Sequence, residues 1–70
     1  MTRGAKTFRR VVSAGSEARQ MTALRCLGKG RLRGLIRHCH AAPDTEITQQ
    51  ILGMALMEVM RRFMTTKVPL

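Results

Sequence analysis

The stretch from Asp44 to Met64 constrains this chain more than any other. Asp44 or Thr45 can cap a helix by accepting a first-turn amide, and Glu46 suits the positive end of the helix dipole. Pro43 closes whatever helix precedes it, because the residue before a proline avoids the helical region. The spacing then predicts a helix over 46–64. Leu52, Leu56, Val59 and Phe63 form its central stripe with Ala55 beside them, and Met54, Met57, Met60 and Met64 widen the apolar arc to one side. Glu58, Arg61 and Arg62 mark the expected wet side, with Ile47 and Ile51 falling near it. Such an arc exceeds the stripe of about 100° that suffices for a surface helix. A chain of 70 residues has little with which to cover it.

Two shorter helices are predicted upstream. Over 31–41, Leu32, Leu35, Ile36 and Cys39 follow the i, i+3, i+4, i+7 pattern of one helix face. The opposite face carries Arg31, Arg33, Arg37, His38 and His40, with Gly34 among them as a weak helix former. Over 17–27, Ser16 is the candidate N-cap, Glu17 suits the dipole, and Met21, Leu24 and Leu27 recur at three-residue steps. Gly28 suits the position just past that helix, and Gly28-Lys29-Gly30 reads as a flexible basic turn. Residues 1–15 show no helical period. They read as a basic arm in which Thr7–Val12, with β-branched and aromatic residues, is a candidate short strand. Residues 65–70 read as a frayed tail with Pro69 near its end. The expected architecture is all-α: a bundle of three helices (17–27, 31–41, 46–64) in one domain over 16–66, an arm at 1–15 and a tail at 67–70.

Charge then narrows the function classes. Net charge is +9, and residues 1–40 supply all of it: ten basic residues against Glu17 alone, with the remaining thirty residues neutral overall. A field of this kind attracts polyanions, nucleic acid first and anionic membrane second. The plain alternative is a merely solvated surface, although solubility needs a net charge of only about 2–8. The apolar fraction of 44% opposes wholesale disorder. The longest apolar run, Ile51 to Met60, is interrupted by Glu58 and falls short of the roughly 18–20 residues of a membrane span. An apolar signal-peptide core is missing near the start, so the expected location is intracellular, in cytoplasm or nucleoid. The acid-free residues 1–16 also match the composition of a mitochondrial transit peptide.

The candidate nucleic-acid contacts are Arg9, Arg10, Arg25, Lys29, Arg31, Arg33, Arg37 and His40. Arginine suits bidentate contacts with phosphates and with guanine edges. Phe8 and Phe63 are the only aromatics, too few for a base-stacking single-strand platform, so the expected ligand is double-stranded. A helix-turn-helix reading fits poorly, because with Gly28 as its turn glycine the later core positions fall on Gly34 and His38. The order Thr7–Val12, helix, Gly28–Gly30, helix resembles the ribbon-helix-helix arrangement. Two features depart from it: Arg9-Arg10 and Val11-Val12 break the alternation of a ribbon, and the helix at 46–64 is extra.

Other chemistry finds little footing. Cys26, His38, Cys39 and His40 lack the paired spacing of zinc ligands, and three of them are consecutive, pointing to different faces of a helix. Gly28-x-Gly30-x₃-Gly34 is not the dinucleotide fingerprint. Of the four carboxylates, Asp44 and Glu46 are explained by capping and Glu17 by the dipole, and no catalytic constellation follows from spacing. The expectation is therefore a non-enzyme with no metal and no cofactor. The methionine-rich helix suggests assembly, because small helical domains often need a partner and Met adapts to binding surfaces. Leu52, Met54, Leu56, Met57, Val59, Met60, Phe63 and Met64 are its candidate interface, most simply in a homodimer. Two alternatives stand beside a dimeric regulatory or architectural factor. One is a protein-interaction module, an inhibitor or adaptor that docks through 46–64 and meets an acidic partner. The other is a structural subunit of a ribonucleoprotein. Membrane attachment through 31–41 is disfavoured because that face lacks aromatic anchors.

Overall fold

The computed structural model describes residues 3–67, the side chains of Thr66 and Lys67 excepted. Four helices follow in order: α1 (Arg3–Val12), α2 (Glu17–Arg25), α3 (Lys29–Ala41) and α4 (Glu46–Lys67). The domain is all-α, with no strand among the described residues. None of its helices is long and apolar enough to cross a membrane. The expected tail begins inside α4, and residues 68–70 lie outside the described residues, as do Met1 and Thr2 of the expected arm.

The largest correction is α1. Thr7–Val12 is neither a strand nor an arm, so the ribbon-helix-helix arrangement does not apply. A helical period is present, but two of its members are not hydrophobic. Gly4, Thr7 and Val11 are buried and Phe8 packs partly against the core, an i, i+3, i+4, i+7 set. Gly4 belongs to that set because α1 lies very close to α3, with the Gly34 carbonyl directly against it. The Phe8 and His38 rings stack at a 53° tilt, 5.2 Å apart, on the same α1–α3 contact. After Val12 the chain turns at Gly15, whose φ of +98° is the left-handed conformation that glycine adopts without strain.

The predicted punctuation of the later helices holds in part. The Ser16 hydroxyl accepts from the Arg19 amide at 3.2 Å, so Ser16 caps α2. The Thr45 hydroxyl accepts from the Thr48 amide at 3.2 Å, so Thr45 rather than Asp44 caps α4. Asp44 instead accepts from the Gln49 side chain at 2.7 Å. Helix α2 stops at Arg25 instead of reaching Leu27. Gly28 starts α3 as its N-cap, so Lys29 and Gly30 form its first turn and not a loop. The core unites Val11, Leu24, Leu32, Leu35, Cys39, Ile51 and Ala55.

Helix α4 is turned relative to the sequence expectation. Ile51, Ala55 and Glu58 are fully buried, and Thr48 nearly so. Of the predicted central stripe, Leu56, Val59 and Phe63 are exposed, while Leu52 packs partly against the core. The reason is an ion-pair cluster. Arg61 grips Glu58 with two donors at 2.8 and 2.9 Å, and the Arg62 Nε donates to the same carboxylate at 2.6 Å. Arg62 also reaches across to α2, where its Nη2 donates to the carbonyl oxygens of Leu27 (2.7 Å), Leu24 (3.2 Å) and Arg25 (3.3 Å). A guanidinium there satisfies the Arg25 and Leu27 carbonyls, adds to the bond that the Leu24 carbonyl already accepts from the Leu27 amide, and lies at the negative end of the α2 dipole. Glu58 and much of Arg62 are thereby drawn inward while Arg61 stays exposed, and the apolar arc faces outward. Gln50 adds a second α2–α4 link, donating to the buried Gln20 at 3.1 Å.

Candidate functional site

Helices α1, α2 and α3 carry ten basic residues, Arg3, Lys6, Arg9, Arg10, Arg19, Arg25, Lys29, Arg31, Arg33 and Arg37, and all ten are exposed. None of them forms an ion pair among the described residues, where the ion pairs run from Arg61 and Arg62 to Glu58. The expected contact residues Arg9, Arg10, Arg25, Lys29, Arg31, Arg33, Arg37 and His40 therefore all stand at the surface.

They do not share one face. Lys29, Arg33 and Arg37 follow one another at four-residue steps and form a row along α3. Beside that row runs a groove of about 580 Å³, lined by Leu32 and Ile36 of α3 and by Val59 and Phe63 of α4. Arg62 also lines this groove. Arg31 points elsewhere. With Leu27 it borders a second cleft, of about 290 Å³, whose remaining walls come from α1. The sequence reading put Arg31, Arg33, Arg37, His38 and His40 together because it divided α3 into an apolar and a polar half. The structure packs α1 into the middle of that polar half, at Gly34 and His38, and splits the cations into two groups. Arg3 and Lys6 were missed as site residues. Their signal is the 3, 6, 10 spacing on one edge of a helix, which shows only once residues 3–12 are known to be helical.

The predicted interface on α4 divides as well. Leu56, Met57, Val59, Met60, Phe63 and Met64 are exposed, with Met57, Met60, Phe63 and Met64 each about three-fifths accessible. Leu52 and Met54 turn inward onto the core and leave the interface. The exposed arc is apolar, with Arg61, half-exposed and paired with Glu58, at its edge beside Met57.

The Glu58 carboxylate is enclosed because two guanidinium groups lie over it. The hydrogen bonds and charge of Arg61, with those of Arg62, hold it down to about 2 against the opposing effect of burial. Cys26 and Cys39 are both free thiols, and burial pushes the Cys39 thiol up, away from nucleophilic reactivity. Among the described residues no three His, Cys, Asp or Glu side chains gather where a metal ion could be held. No family model, curated protein or solved structure matches this chain.

Proposed function

We propose that this chain is a small nucleic-acid-binding protein that contacts phosphates through the outer faces of α1–α3 and pairs with a second copy through α4. One observation carries the reading: ten exposed cations on three helices, none neutralised by an ion pair among the described residues. Keeping that many like charges together opposes folding through self-repulsion, and a polyanion relieves it. The row Lys29, Arg33, Arg37 supports a duplex as the ligand. A helix with its side chains is about 10–12 Å across, and the major groove of B-form DNA is about 12 Å wide. The apolar outer arc of α4 supports pairing with a second copy, because the one cation at its edge, Arg61, is paired with Glu58, whereas the cations of α1–α3 would repel their own copies.

The test is an electrophoretic shift on random-sequence duplex DNA and on RNA at low salt, repeated with Lys29, Arg33 and Arg37 changed together to Gln. Binding by the native chain that weakens at least tenfold in the variant is the expected result. A native chain that shifts neither nucleic acid refutes the reading.

A second reading draws on the α3–α4 groove. Its lining is apolar and its edge cationic, which suits an acidic amphipathic helix laid with its apolar side inward. A chain that stays monomeric, ignores nucleic acid and binds a designed acidic amphipathic peptide would favour that adaptor role instead.

A further inference from the structure

We propose that the cleft between α1 and α3 is a phosphate-binding site. Arg3, Lys6 and Arg10 line it from α1, and Arg31 faces them from α3. The spacing of the α1 residues puts all three on one edge of that helix, beside its buried face. No carboxylate lines the cleft, so four positive charges surround one space of about 290 Å³ without a counter-charge. Arginine forks and a lysine ammonium together match the oxygens of a phosphate group.

Thr7 supplies a second, independent observation. It lines the same cleft, and only 9% of its surface is exposed. Its hydroxyl makes no hydrogen bond among the described residues, whereas Ser13, Thr22 and Thr65 each donate to the carbonyl four residues back. Among the described residues no fully enclosed side-chain oxygen or nitrogen lacks a partner, so this hydroxyl keeps accessible surface and is free to donate to a ligand in the cleft that Thr7 lines. A phosphate oxygen there would accept its proton. The start of α3 also borders the cleft between Leu27 and Arg31, and its N-cap, Gly28, offers no side chain to the first-turn amides. That end of the helix adds positive potential to the same space.

The ligand class is a phosphate group. Resting on the nucleic-acid reading above, its source is a backbone phosphate that seats α1 on the strand while the Lys29 row engages the groove.

The experiment is amide-resolved NMR of the full chain titrated with inorganic pyrophosphate, with duplex binding measured in parallel. Pyrophosphate is expected to move the amides of Lys6, Thr7, Arg10 and Arg31 saturably. Thr7→Val, which keeps the shape and removes the hydroxyl, should weaken pyrophosphate binding about fivefold. Lys6→Gln with Arg31→Gln should abolish it. The charge-matched pair Arg9→Gln with Arg19→Gln, outside the cleft, should leave it within about twofold. The cleft pair should also weaken duplex binding more than its charge-matched control. Equal losses in the two pairs, or shifts spread over all the basic residues, would overturn the site even if duplex still binds. Pyrophosphate held in the cleft of a chain that ignores duplex DNA and RNA would leave the site standing and overturn the nucleic-acid reading. Cleft-dependent sedimentation with phosphatidylglycerol vesicles but not with duplex would overturn the backbone as the phosphate source.

Discussion

A methyl group added at Gly4 would run into the Gly34 carbonyl oxygen and lie 2.9 Å from the His38 Cβ. The obstacle is backbone, which cannot swing aside. Gly4→Ala should therefore cost about 1–3 kcal/mol in urea unfolding, the range of an overpacked core. Gly34 is its counterpart across the contact, yet a Cβ there would meet nothing within 4 Å. Gly34→Ala should stabilise the chain by about 0.5–1 kcal/mol through helix propensity alone. Opposite signs at two touching glycines are the signature of this packing, and equal signs would refute it. Glu58 makes the other prediction at this scale. Its carboxyl is held at about 2, against an ordinary value of 4.5. The folded chain therefore binds this proton less readily than the unfolded one. The resulting stability is complete above about 4.5 and is lost as pH falls toward about 2. Glu58→Gln should remove that part of the acid transition and destabilise the chain by about 1–3 kcal/mol at neutral pH. Thermal unfolding of both proteins across that pH range checks it.

Helix α4 shows what one ion-pair cluster does to an element. Its existence, its cap region and its first residue were legible in the sequence, because Pro43, Thr45 and Glu46 act locally. Its rotation was not. Periodicity alone assigns charged residues to water; the i, i+3 and i, i+4 spacing of Glu58, Arg61 and Arg62 permits their pairing but does not announce its burial or that Arg62 closes the end of α2. The outcome leaves Met57 and Met60 each 63% exposed on an apolar arc. Met57→Glu with Met60→Glu should convert a dimer to a monomer in sedimentation equilibrium, with unchanged helix content, since neither side chain supports the core. A native chain that is already monomeric under the same conditions would rule out pairing through this face. Helix α1 failed to show for a different reason. Its inward positions, the buried 4, 7 and 11 and the partly buried 8, include a glycine and a threonine, so a search for hydrophobic residues misses the period.

At the scale of the whole molecule the charge is divided between two kinds of surface. Helices α1–α3 present unpaired cations, and α4 presents an apolar arc beside which Arg61 and Arg62 share the Glu58 carboxylate. If the cationic faces meet nucleic acid, each neutralised phosphate should contribute about −0.9 to the slope of log affinity against log salt. Changing Lys29, Arg33 and Arg37 to Gln should flatten that slope by about 2–3, and binding that is indifferent to salt would exclude the mechanism. Sequence by itself determined the net charge, its confinement to residues 1–40, the three later helices and the N-cap regions of α2 and α4 but not that of α3, because each depends on composition or on neighbours within a turn. Tertiary structure alone decided the rest. It made residues 3–12 a helix by giving Gly4 and Thr7 a surface to pack on, and it turned α4 by pairing Glu58 with two arginines, one of which, Arg62, also holds the end of α2. It also split the α3 cations into a row beside one groove and a cluster around another cleft, because α1 docks between them. These outcomes depend on which faces meet, and residues far apart in the chain settle that together.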